Sequence, residues 1–211
     1  MLTLSKVHQE IARYKYADQR FPRTDKATYW KYYFRLEAYF QELIDDIYGQ
    51  AASVEFPITT KPIEEYLSGY ALHYHPFDNR DFGKPELEGF WDSSPDNPFD
   101  LHILYNTNRS SVKRQRFTKI HETIHVLQFL DPEFRQFIDA FLTYETLPFD
   151  MVTRLVEGAT DMATAMYLVP KSELVAQYQQ CNDMNTLSDH FQVSYQSIVY
   201  RLKNTGILVP Q

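Results

Sequence analysis

The spacing of apolar residues changes twice along this chain, and that change restricts the fold more than any single motif. Over 26–48, Trp30, Phe34, Tyr39, Phe40, Leu43, Ile44 and Ile47 recur mostly three and four apart, which predicts one long helix. Such an aromatic stripe belongs to a core or an interface far more often than to a ligand site. A short helix is expected over 3–17 and another over 62–69, where Pro62 suits the first turn, with 50–60 as a connector. Then the period shortens. Ala71–His75, Leu87–Trp91 and Leu101–Asn106 read as strands, and the Asp, Ser, Pro and Asn residues of 92–99 mark a turn.

From about residue 111 the helical period returns. Helices are expected over 112–129, from Asp131-Pro132 to about 143, and from a cap at Asp150 to Val169, where Pro170 stops the run. Leu147-Pro148-Phe149 reads as a loop. Two or three short helices follow, with Ser194 as a cap and Gly206 as a stop. The expected fold class is α+β, a small antiparallel sheet packed with several helices. The expected division is an N-terminal helical region over 1–60 and a main domain over 61–211, which includes a C-terminal segment, 184–208.

Composition narrows the setting. With 211 residues and only 6 Gly the chain can bury one substantial core. Cys181 is the only cysteine, so no internal disulfide forms. The first ten residues lack the apolar core of a signal peptide, and no run of about 18 apolar residues exists to span a membrane. A cytoplasmic protein with no membrane partner is the expectation. A net charge of −7 argues against nucleic acid as the main partner.

The chemistry concentrates between 121 and 161. His121 and His125 are four residues apart, so a helix sets both imidazoles on one face, one turn apart, within reach of one metal ion. Glu122 sits beside them, placed to touch a water on that metal without ligating it, which is the arrangement of a zinc hydrolase. Five residues can arise by chance, so a third ligand is needed. Glu157 is the best candidate. Asp161 follows it by one turn, and the two carboxylates stand among Val152, Leu155, Val156, Ala159, Met162 and Ala163. A carboxylate on an apolar face needs a partner. A metal would satisfy Glu157, and the ring N–H of a ligand histidine would satisfy Asp161. His73, His75, His102 and Tyr105 are candidates for oxyanion or substrate contacts, and spacing does not choose among them.

Over about 89–208 the chain resembles the ImmA/IrrE family of metallopeptidases. Arg116-Phe117-Thr118 before His121-Glu122-x-x-His125 is similar to that family's signature. So are Asn106 closing a strand upstream, Glu157-x-x-x-Asp161, Ala163 and Leu168-Val169-Pro170. The chain departs from the family at Ile124, where Gly is common, and at Ala163-Thr164, where Phe-Ala is common. The resemblance implies a zincin-like, gluzincin-type catalytic core with His121, His125 and Glu157 as Zn2+ ligands and Glu122 as the base. It also implies a regulatory protein substrate, often a helix-turn-helix repressor of a prophage, mobile element or stress response. By analogy with related zinc peptidases, strand 101–106 is expected to edge the cleft and pair with an extended substrate.

Leu187–Leu208 has the pattern of a helix-turn-helix, with the turn at Gln192-Val193-Ser194 and Tyr195, Gln196, Arg201 and Lys203 on the second helix. Packing against the catalytic helices is the favoured role. DNA contact is possible but not favoured, since basic residues are few. The competing functional reading is a DNA-binding or protein-interaction regulator with a structural or vestigial zinc site. The intact Glu122 argues against it.

Overall fold

A computed structural model of the chain describes residues 26–83, 86–108, 111–136, 138 and 149–207. The helix expected over 3–17, residues 137 and 139–143 of the one expected over 132–143, and the loop at 147–148 lie outside the described residues. The first helix, α1 (Lys26–Gln50), buries Leu36, Phe40, Leu43, Ile44 and Ile47, the three-and-four stripe expected of a helix with one apolar face. Phe34, counted in that stripe from the sequence, is exposed instead. A short helix, α2 (Lys61–Tyr66), begins with a proline in its first turn, where the missing N–H costs no helical hydrogen bond.

Three strands follow: β1 (Ala71–Phe77), β2 (Gly89–Ser93) and β3 (Asp100–Asn106). Their order is β1-β3-β2. The sheet is mixed, not antiparallel as expected. β2 and β3 form an antiparallel hairpin, while β1 runs parallel to β3, from Ala71 opposite Asp100 to Phe77 opposite Asn106. The reason is that β2 turns back and pairs on the far edge of β3. That leaves β1 beside the later strand, which runs in its own direction. Between β1 and β2 a single 3-10 turn, Asn79–Phe82, is capped by the Asp78 side chain and closed by Gly83 at φ +62.

The sheet lies on α3 (Val112–Leu130). Ser111 caps this helix by accepting from the Arg114 N–H. Asp131 ends it and accepts from the Glu133 and Phe134 N–H groups of the next turn. Every residue of α3 from Ile120 to Gln128 is buried, because the helix is enclosed by the sheet on one side and α4 (Phe149–Leu168) on another. Helix α4 begins one residue before Asp150, so Asp150 falls within its first turn and not at the cap. Helix α1 packs on α4, where Tyr48 and Tyr167 stack with ring centroids 5.4 Å apart. The Tyr48 hydroxyl donates to the Tyr167 carbonyl, and the Tyr167 hydroxyl to that of Thr59. Burial pushes both phenols far above their ordinary pKa.

Three short helices complete the described chain: α5 (Lys171–Cys181), α6 (Met184–Phe191) and α7 (Tyr195–Asn204). Arg116 ties α3 to this tail. Its guanidinium donates to the carbonyls of Phe191 and Gln192 at the end of α6 and to that of Ile58 in the connector. Burial lowers its pKa from the ordinary value. No described helix is long and apolar enough to cross a membrane.

Candidate metal centre

Helix periodicity brings His121 and His125 together as the sequence requires, with their Nε2 atoms 3.1 Å apart. The Glu157 carboxylate reaches across from α4. Its Oε2 lies 3.4 Å from Nε2 of His121 and its Oε1 lies 3.4 Å from Nε2 of His125. Each residue offers a donor atom, and these atoms all lie within 4.8 Å of one another.

The partners on the outer side of each ring fix where the hydrogens sit. Nδ1 of His121 lies 2.9 Å from Oδ1 of Asp161, a carboxylate that can only accept. Nδ1 of His125 lies 2.8 Å from Oε1 of Gln128. The orientation of that amide follows from its other end. The Thr160 hydroxyl donates to the Val156 carbonyl at 2.8 Å, so Thr160 Oγ1 must accept from Gln128 Nε2 at 2.7 Å. Gln128 therefore turns its oxygen to His125. In its neutral form each ring would therefore carry its hydrogen on Nδ1 and direct an Nε2 lone pair toward the other ring and toward Glu157. Converging lone pairs repel, and a cation between them reverses that. Two donors on one tetrahedral zinc stand about 3.3 Å apart, close to the separations here. The donor set fits zinc.

Asp161 pairs with His121 as expected, but the premise behind that expectation fails. Its side chain is 63% exposed, so burial does not compel the pairing. The sequence reading missed Gln128 and Thr160. The signal was available, since Gln128 is three residues past His125 and Thr160 three past Glu157, each on its neighbour's face.

Glu122 is buried, at 5% exposure. Its place is set by Gly89, the first residue of β2. A Cβ at Gly89 would fall 2.8 Å from Cγ of Glu122, 2.8 Å from Cγ2 of Thr118 and 2.9 Å from Oε1 of Glu122. No real side chain tolerates such contacts, so the backbone of β2 approaches α3 here only because residue 89 lacks a side chain. Gly89→Ala is expected to push Glu122 aside. Small misplacements of a reacting group cost roughly 10²-fold in rate. Any peptidase activity should fall on that order with zinc content unchanged, and unaltered turnover would show that the approach is not needed.

The other four candidates separate. Leu101 and Ile103 of β3 are buried, and Tyr74 and Trp91 from the neighbouring strands meet Lys119 and Phe129 of α3. This face of the sheet is therefore the one that meets the helix. Alternation puts Tyr105 on it, opposite Gly89 in the β2–β3 register. His73, His75 and His102 lie on the opposite face. Strand β3 is the central strand, so it is not the cleft edge expected from the sequence. The strand beside Glu122 is β2, which among the described residues pairs only with β3.

The tail forms the expected helix-turn-helix. Ser194 caps α7, Gln192 takes the left-handed turn conformation, and Gly206 follows at φ +76. Ile198 and Leu202 are buried, and so is Arg201, whose Nε donates to the Val169 carbonyl at 3.1 Å. Arg201, considered from the sequence as a DNA contact, is thus held inside. Tyr195, Gln196 and Lys203 remain exposed.

The family model Peptidase M78, described as the IrrE N-terminal-like domain, matches residues 80–203. No curated protein sequence gives a significant match. Among solved structures, a Mycobacterium tuberculosis transcriptional regulator aligns with 14% identity and a TM-score of 0.44, covering 92% of this chain and 51% of that one. The chain thus spans about half the length of that regulator.

Proposed function

The chain belongs to the Peptidase M78 family, with its IrrE N-terminal-like domain, and from that premise we propose that it is a zinc-dependent endopeptidase cutting a regulatory protein. The observation that carries the reading is the convergence of His121, His125 and Glu157, with the buried Glu122 next to His121 in the chain. A purely structural metal site has no use for a carboxylate poised next to it.

His121, His125 and Glu157 would hold the ion, with Asp161 and Gln128 orienting the two rings. Bound zinc would supply Lewis acidity at the peptide carbonyl and make a neighbouring water easier to deprotonate. Glu122 takes the proton from the attacking water and returns it to the departing amine. The outer edge of β2, unpaired by another strand among the described residues, offers backbone N–H and C=O groups for an extended substrate to pair with, alongside Glu122. Of the four candidate polar contacts only Tyr105 is on the sheet face toward α3, which makes it the one suited to the developing oxyanion. The proposed substrate class is a helix-turn-helix transcriptional repressor, and the proposed setting is the cytoplasm.

The test is incubation of the zinc-loaded protein with the repressor encoded by a neighbouring reading frame, with and without a chelator. Discrete fragments that vanish with chelator are expected. Fragments that persist undiminished in chelator would sink the zinc mechanism. DNA contact by α7 is the second reading, favoured by its exposed Tyr195, Gln196 and Lys203. The buried Arg201 and the net charge of −7 weigh against it.

A further inference from the structure

We propose that the face of the sheet turned away from α3 carries a separate site for a divalent transition-metal ion, built from His73, His75 and His102. His73 and His75 stand two apart on β1 and so project to the same side. The parallel register sets His102 of β3 directly opposite His73. Nε2 of His75 lies 2.9 Å from Nδ1 of His102. The His102 ring lies 5.1 Å from each of the other two, centroid to centroid, and His73 and His75 are 6.4 Å apart. The three donors therefore do not yet meet at one point.

The adjustment needed is small. The nitrogens of His75 and His102 are already closer than the roughly 3.3 Å that two ligands of one tetrahedral ion require. His73 is the ring that must turn, and its side chain is 47% exposed. Exposed side chains change rotamer in picoseconds to nanoseconds. Its Nε2 lies 3.5 Å from Oδ1 of Asp100. That carboxylate is beyond hydrogen-bond distance and adds negative charge beside the ring. Asp92, opposite His102 on β2, adds negative charge to the same face.

Three imidazoles select Cu2+, Zn2+ or Ni2+ over Mg2+ and Ca2+, which prefer oxygen. An ion here would clamp β1 to β3. It would keep coordination positions open to solvent, and so exchange more readily than one enclosed by α3 and α4. The site does not depend on the peptidase reading.

The test is equilibrium dialysis of the full chain against Zn2+ with metal counted by elemental analysis, and Mg2+ as control. Wild type should take up a second equivalent beyond the one at the helices, and none in excess with Mg2+. His73→Ala/His75→Ala should lose the second equivalent and keep the first, with an unchanged thermal midpoint in metal-free buffer because both side chains are exposed. His121→Ala/His125→Ala should keep an equivalent that His73→Ala/His75→Ala then removes. With Cu2+ as probe, the paramagnetic spectrum of His121→Ala/His125→Ala should report imidazole nitrogens. Uptake by wild type that His73→Ala/His75→Ala leaves untouched overturns the outer site, and leaves the helix site standing.

Discussion

Glu122→Gln is expected to retain stoichiometric zinc and to cut peptide hydrolysis by a factor on the order of 10²–10⁴, the usual contribution of a positioned acid–base group. The substitution keeps the shape that packs under Gly89 and beside Thr118. It leaves His121, His125 and Glu157 in place, so metal uptake has no reason to change. It removes only the capacity to take and return a proton. Paired assays are needed, zinc by elemental analysis and cleavage of the candidate repressor by fragment appearance. Cleavage at the wild-type rate would remove Glu122 from the mechanism. Loss of zinc alongside activity would instead show that Glu122 supports the ion.

The other large effect is expected at Glu157. Substitution by alanine deletes the donor that α4 contributes and leaves two histidines on one helix. Residues that merely orient a ligand are worth about 10–100-fold in metal affinity, so loss of the ligand itself should exceed the upper end of that range. The apo protein should keep its helical content, because α4 is held by Leu155, Ala159, Ala163 and Tyr167, all fully buried. Competition with a chelator of known affinity measures the loss, and far-UV circular dichroism checks the fold. Undiminished zinc occupancy would take Glu157 out of the site.

The centre was legible in the sequence because its geometry is local. Two histidines at i and i+4 share a helix face whatever surrounds them, and a glutamate one turn before an aspartate on an apolar helix limits the choice of third ligand. The strands were also found, since two-residue alternation depends on near neighbours. Their pairing was not. Whether β1 meets β2 or β3 depends on which edge the hairpin presents, a tertiary matter that no spacing encodes. For the same reason Gly89 could not be singled out. Its lack of a side chain matters only once β2 is laid against Thr118 and Glu122. The three outer histidines suffered likewise: His102 is 29 residues from His73 in the chain, and only the parallel register makes them neighbours. Arg201 is a different failure. On a helix with few cations it looks like a surface contact, until the Val169 carbonyl is found beneath it.

Arg116 bears on how such proteins can diversify. One guanidinium on α3 satisfies carbonyls from the connector before α2 and from the end of α6. Recombination that exchanged the helix-turn-helix as a cassette would have to bring a turn whose carbonyls meet the same cation. Otherwise it would leave a half-buried guanidinium short of acceptors, two residues before the buried core of α3 begins at Thr118. What such an exchange must preserve is the backbone path of the turn at 191–192, which presents both carbonyls to Arg116, and not the side chains that stand there.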